Sequence, residues 1–214
     1  MKFPKKSGPR KTFRHGDLRR ALLDAGIELA RQGGPQAIVL REATRSAGVA
    51  PNAAYRHFAN HQDLLRAVRT AALSLLAKAI EAELRKVARR KGSGPEMARA
   101  TLRAVGTGYL NFAIDEPGLF RTAFLVPDPV EDDVDPAKSG KSGLNPFQLL
   151  QSALDLLVET GVLPQTRRPG AEYAAWSAVH GLAFLVIAGP LHQASKAQIR
   201  SLAARVLAMV EQGL

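Results

Sequence analysis

Apolar residues along this chain recur at spacings of three and four, and the strict alternation of a half-buried strand is not seen. Leu18, Leu22, Ala25 and Leu29 mark one face of a helix from Gly16 to about Arg31, which Gly33-Gly34-Pro35 stops. A short helix is predicted over about 40–47, ending at Gly48, and a second over about 51–57. Asn60 is placed as an N-cap, with Asp63 in the first turn favouring the helix dipole. The helix it opens runs long: Leu64, Val68, Ala72, Leu76, Ile80, Leu84 and Val87 keep the helical period up to the basic turn at 89–94.

Pro95 suits the first position of a helix reaching about Glu116, and a short one follows near 118–125. Residues 126–146 read as a loop with four prolines and an acidic patch of Asp128, Glu131, Asp132, Asp133 and Asp135. Helices over about 147–160, 171–188 and 196–212 complete the pattern. The helix over 171–188 is apolar nearly all round and must be covered on both sides, by its own core and by a second copy of the chain. The pattern predicts an all-α fold without internal repeats. It divides into an arm (1–15), a three-helix helix-turn-helix head (16–59) and a larger helical bundle (60–214).

Charge sharpens that division. The net charge is +11, and residues 1–60 carry twelve Lys and Arg against four Asp and Glu, whereas the remainder carries eighteen against fifteen. A basic module on a nearly neutral body points to a polyanionic partner, although a solvated Lys-rich tail has the same charge. The first fourteen residues hold six basic side chains and no acidic one, and no apolar run follows as in a secretory leader. The apolar run 174–191 is broken by Ser177, His180 and Gly189-Pro190, which favours a buried helix over a membrane span. The expected compartment is the cytoplasm. Absence of cysteine excludes thiol catalysis, disulfides and thiolate metal sites, and five scattered histidines point to no metal centre.

The stretch 40–65, LREATRSAGVAPNAAYRHFANHQDLL, carries the chemistry. Ala43, Ala47, Gly48, Ala53 and Ala54 are small where two helices must cross, and Val49, Ala54 and Phe58 are apolar anchors behind the second. Its outward side then offers Pro51, Asn52, Tyr55, Arg56 and His57, side chains suited to phosphates or base edges.

At these residues the chain resembles the TetR family of transcriptional regulators. The resemblance rests on Ala47-Gly48-Val49, on Tyr55, on His57-Phe58 and on Asn60-His61-Gln62-Asp63-Leu64-Leu65, within a match from Gly16 to about Ala79. A weaker likeness to a subgroup with a Trp-x-x-x-His-Gly signature lies at Trp176, His180 and Gly181, preceded by a similar stretch at 108–124. The resemblance implies a homodimeric, sequence-specific regulator, a ligand-responsive repressor on a palindromic double-stranded DNA operator. It implies no cofactor beyond a small-molecule effector of unspecified identity. It assigns DNA contacts to Arg41, Pro51, Asn52, Tyr55 and His57, and places His61 at a phosphate-contacting position beside the outward-facing Arg56. His61 stands where the family commonly has a phosphate-gripping Lys, Ala53 replaces a Thr or Ser, and Val39 replaces a capping Ser or Thr. Arg10, Lys11 and Arg14 of the arm supply phosphate affinity in their place.

Tyr109, Phe112, Phe120, Phe124, Phe147, Trp176 and His180 are candidates for an effector pocket, with core packing as the plainer alternative for each. His180 on an apolar helix reads first as a hydrogen-bonded packing residue and only second as a ligand contact. Gly140-Lys141-Ser142 is not a phosphate loop, because Asp135 occupies the required first glycine and no strand precedes it. The rival to a regulator is an all-α small-molecule-binding protein or enzyme whose arm binds nucleic acid non-specifically. No nucleophile–base pairing in the sequence supports catalysis.

Overall fold

The computed structural model describes residues 15–124 and 135–214, with side chains from Leu18 onward. Arg10, Lys11, Arg14 and the acidic residues 128–133 lie outside the described residues. Every regular element among the described residues is helical.

The head comprises α1 (His15–Gly33), α2 (Leu40–Ala47) and α3 (Pro51–Ala54). Leu22, Ile38, Ala43, Ala54 and Phe58 close its core. Gly48 makes the turn possible: at φ 69° it is left-handed, its N–H donates to the Arg45 carbonyl, and the Val49 N–H reaches back to Thr44. This double closure ends α2 and aims the chain into α3, and glycine carries no Cβ penalty there. Regular helix in α3 ends at Ala54, three residues earlier than the pattern predicts, and 55–57 form a turn. The cause is Phe58, which folds inward until it is 2% exposed, so that the His57 and Phe58 N–H groups both bond to the Ala54 carbonyl at 2.9 Å.

Asn60 caps α4 (His61–Val87) as expected: its Oδ1 accepts from the Asp63 N–H at 3.0 Å, and Asp63 accepts from the Ala59 N–H at 3.1 Å. A short turn brings the chain back along α4 as α5 (Gly94–Asp115), opened by a reciprocal Ser93–Glu96 cap that hydrophobic periodicity does not register. Then come α6 (Pro117–Ala123), α7 (Pro146–Glu159), α8 (Ala171–Ile187) and α9 (Lys196–Gly213).

One apolar cluster runs unbroken from head to body, through Leu22, Val68, Leu76, Leu119, Phe120, Leu154 and Ala183. The short helix α6 is wedged between α1 and α4. Its Gly118 rests so close to α1 that a Cβ there would lie 2.0 Å from the Ala30 carbonyl oxygen. One turn away, the Arg31 Nε donates to both carboxylate oxygens of Glu116 at 3.1 Å, and this partner raises the Arg31 pKa above its ordinary value.

The helix α8 turns Ala175, Val179, Leu182, Ala183 and Val186 inward but leaves Tyr173, Phe184 and Leu185 exposed. The protomer therefore covers only one side of it. In α9, Ile199 is buried in the chain's own core, Leu202 and Val206 are half-buried, and Met209 is exposed.

The contact at Gly118 has no flexible side chain to yield, because the opposing atoms belong to α1 backbone. Gly118→Ala is expected to lower unfolding free energy by about 1–3 kcal/mol, read by urea denaturation.

Candidate nucleic-acid interface and internal cavity

Arg41, Pro51, Asn52, Tyr55, Arg56 and His61 are all exposed on or beside the helices of the head, and His57 is half-buried. Tyr55 is 57% exposed, which is unusual for a large aromatic with a core-forming neighbour at Ala54. The arginines divide by partner. Arg45 is paired with Glu42 and Arg66 with Asp63, each three residues away on its own helix. Arg41 and Arg56 have no acidic partner among the described residues. Val39 sits at the N-cap of α2 with no side-chain bond to offer, and Thr44 turns its hydroxyl back to the Arg41 carbonyl at 2.7 Å.

The body encloses a cavity of about 360 Å³, in the range of small-molecule sites. Five of the aromatic candidates line it: Tyr109, Phe124, Phe147, Trp176 and His180. Phe112 and Phe120 do not. Both are buried side chains of the continuous core, and Phe120, wholly inaccessible, backs the chamber by meeting the Tyr109 ring edge-on at 5.3 Å. They share helices with Tyr109 and Phe124, and periodicity alone does not separate the wall from the packing behind it.

Polar groups of the wall form a chain. The Trp176 Nε1–H donates to the Tyr109 hydroxyl at 3.0 Å, and that oxygen lies 2.6 Å from His180 Nδ1. Burial pushes the Tyr109 pKa well up, against a smaller opposing effect of the Trp176 bond, and burial also lowers that of His180. A neutral phenol therefore faces a neutral imidazole.

Sequence reasoning missed the other polar residues of the wall: Arg69, Arg103, Lys138 and Asn145. It also missed what holds Lys138 and Asn145 in place. Glu81 of α4 is 6% exposed, and its carboxylate accepts from the Lys141 N–H at 2.9 Å and from the Ser142 N–H and hydroxyl, both at 2.7 Å. Ser74 adds a bond to the Ser139 carbonyl at 2.7 Å. The Gly140-Lys141-Ser142 turn does cradle an oxyanion, but that anion is the protein's own carboxylate. Burial works to raise the Glu81 pKa; the Ser142 and Lys141 bonds and the charge of Arg85 outweigh it and hold the group below its ordinary value. A charged residue beside Ile80 on the buried face of α4 was the available signal.

The chain matches two family models: bacterial regulatory proteins of the tetR family over residues 22–68, and the tetracyclin repressor-like C-terminal domain over residues 102–210. Together with the helix-turn-helix head on a helical body, these matches place it in the TetR family of transcriptional regulators. That family consists of DNA-binding transcription factors rather than enzymes, which removes the catalytic alternative. Among solved structures, a Rhodococcus sp. RHA1 protein of unknown function is similar at 22% identity and TM-score 0.71, over 94% of this chain and 97% of that one. PfmR of Thermus thermophilus, a TetR-family regulator, aligns at 19% identity and TM-score 0.56, over 90% and 98%. Bacillus subtilis FadR in complex with stearoyl-CoA aligns at 17% and 0.58, over 91% and 98%. At these identities the likeness is one of fold. No curated protein matches the chain in sequence. Among the described residues no helix is long and apolar enough to cross a membrane.

The Glu81 clamp has a definite pH signature. Its folded pKa is depressed, so its stabilisation is present above the ordinary carboxyl range and is lost as pH falls through the folded value. Glu81→Ala strands two N–H groups and a hydroxyl and is expected to cost about 2–4 kcal/mol near neutral pH. The difference from wild type should shrink on acidification, as followed by thermal melts across pH.

Proposed function

We propose that this protein is a homodimeric, effector-responsive repressor of the cytoplasm that reads a palindromic operator. The carrying observation is the set of exposed side chains on the helix-turn-helix. Arg41, Asn52, Tyr55 and Arg56 stand out from it, and its two unpaired arginines are left for phosphates or base edges. Pro51, His57 and His61 extend the contact surface, and Arg10, Lys11 and Arg14 add sequence-independent attraction to the backbone.

Two copies are required because a recognition helix as short as α3 reads few base pairs, and paired heads read half-sites about one helical turn apart. The exposed Tyr173, Phe184 and Leu185 of α8, with Met209 of α9, supply an apolar surface for a self-complementary interface.

Effector control follows from which elements share the cavity. Arg69, Leu73 and Ile80 of α4 line it, while Leu64 and Leu65 of the same helix are buried toward the head. Ala123 and Phe124 also line it, at the end of the helix whose Gly118 rests on α1. A ligand that favours one placement of α4 and α6 thereby biases the spacing of the heads, and operator affinity falls by linkage.

Selection from a random duplex pool is expected to return inverted half-sites. On the selected duplex, Arg41→Ala and Tyr55→Phe should each weaken binding roughly tenfold in gel shifts, and wild-type affinity should fall steeply with salt. Affinities unchanged in both variants would remove the contact assignment. Leu185→Arg is expected to sediment as a monomer and to lose operator binding while keeping its helical content.

A further inference from the structure

The cavity's polar chain fixes the chemistry of what the chamber holds; this inference rests on the effector role proposed above and deepens it. The Tyr109 oxygen accepts from Trp176 Nε1, a group that can only donate. Were the same oxygen also to accept from His180 Nδ1–H, the phenolic proton would be stranded in a site 6% exposed, without an acceptor. The 2.6 Å contact therefore has Tyr109 donating to Nδ1. That assignment leaves the proton of the neutral imidazole on Nε2. No bond to Nε2 is found among the described residues, and no side-chain nitrogen there is both buried and unpartnered, so Nε2 retains access to open space.

Cationic residues also reach the wall, but each is engaged. Arg103 is paired with Glu211, Arg69 donates to the Ala123 carbonyl at 3.0 Å, and Lys138 is not free. The remaining lining is dominated by Leu, Val, Ala and aromatic side chains. We infer that the chamber takes an uncharged, largely apolar small molecule bearing one hydrogen-bond acceptor oxygen, such as a ketone or ester carbonyl, with His180 Nε2–H as its specificity-determining donor. The aromatic rings packed around His180, including Phe124 at 4.9 Å and Trp176 at 5.8 Å, hold the donor in one orientation. An oxygen arriving there meets a preorganised group, whereas the wall's cations are already held in other contacts, Arg103 by Glu211 and Arg69 by the Ala123 carbonyl.

Trp176 is the single tryptophan of the chain and lies in the cavity wall, so its emission reports occupancy. Three probes of nearly equal shape separate the possibilities at about pH 7.5, where His180 is neutral: 4-phenylbutan-2-one, butylbenzene and 4-phenylbutanoate. The ketone is expected to bind roughly three- to tenfold tighter than the hydrocarbon, and the carboxylate no better than the hydrocarbon. His180→Phe, which keeps a flat apolar ring, should erase the preference for the ketone. Histidine 15N spectra of the wild type supply a reading that needs no variant. They should show the Nε2-protonated form, with the Nε2 resonance shifting on ketone addition and not on butylbenzene addition. A tightest-binding carboxylate, a ketone preference that survives His180→Phe, or no response to any probe at millimolar concentration would overturn the inference. Operator binding by the unliganded protein is measured separately, so loss of this inference leaves the DNA-binding reading standing, and the reverse holds too.

Discussion

The protein depends on the continuity of one helix. The 27 residues of α4 span about 40 Å at 1.5 Å per residue, and no proline or glycine interrupts them. Its first turns carry Leu64 and Leu65 behind the head, its middle gives Arg69, Leu73 and Ile80 to the cavity, and Glu81 near its end clamps the segment that supplies Lys138 and Asn145. A helix of this length without a kink moves as a rod. The cavity wall and the support of the head are thereby parts of one straight element, and the unbroken apolar cluster from Leu22 to Ala183 is a second physical connection between them.

What the sequence made legible follows the range of the interactions responsible. Helix bounds, the Asn60 cap and the Gly48 turn are set by neighbours within four residues, and the structure places them where periodicity does, apart from the early end of α3. Trp176 and His180, one turn apart on α8, stand out together in the sequence. Their hydroxyl partner Tyr109 lies 67 and 71 positions away, and only the packing of α5 on α8 joins them. The Glu81 clamp bridges 60 and 61 positions, and its donor turn reads locally as a failed phosphate loop. The rejection of a phosphate loop stands, and what the local sequence does not show is that two N–H groups and a hydroxyl still converge on an oxyanion there, the protein's own Glu81.

Charge is apportioned between head and body according to what each must do. In the body, Arg103 with Glu211 and Arg168 with Asp155 and Glu172 neutralise one another around the packed helices, and burial there is compatible with the paired state. Among the described residues the head leaves Arg41 and Arg56 without acidic partners. Like charges gathered on a small surface repel, so a head of this composition is less stable than its packing alone would make it.

The same trade appears in its helix ends. The N-termini of α2 and α3 have no side-chain cap, as is also true of α6 and α8, whereas α4, α5, α7 and α9 are each capped by Asn or Ser. Helices of eight and four residues without caps are too short to persist on local energy and hold their form by packing on α1 and on each other. The elements that present Arg41 and Tyr55 are thus not self-sufficient and take their position from α1, the helix that α6 contacts directly. A head that folded independently would keep its geometry whatever the body held. This one takes its geometry from α1, on which Gly118 of α6 also rests.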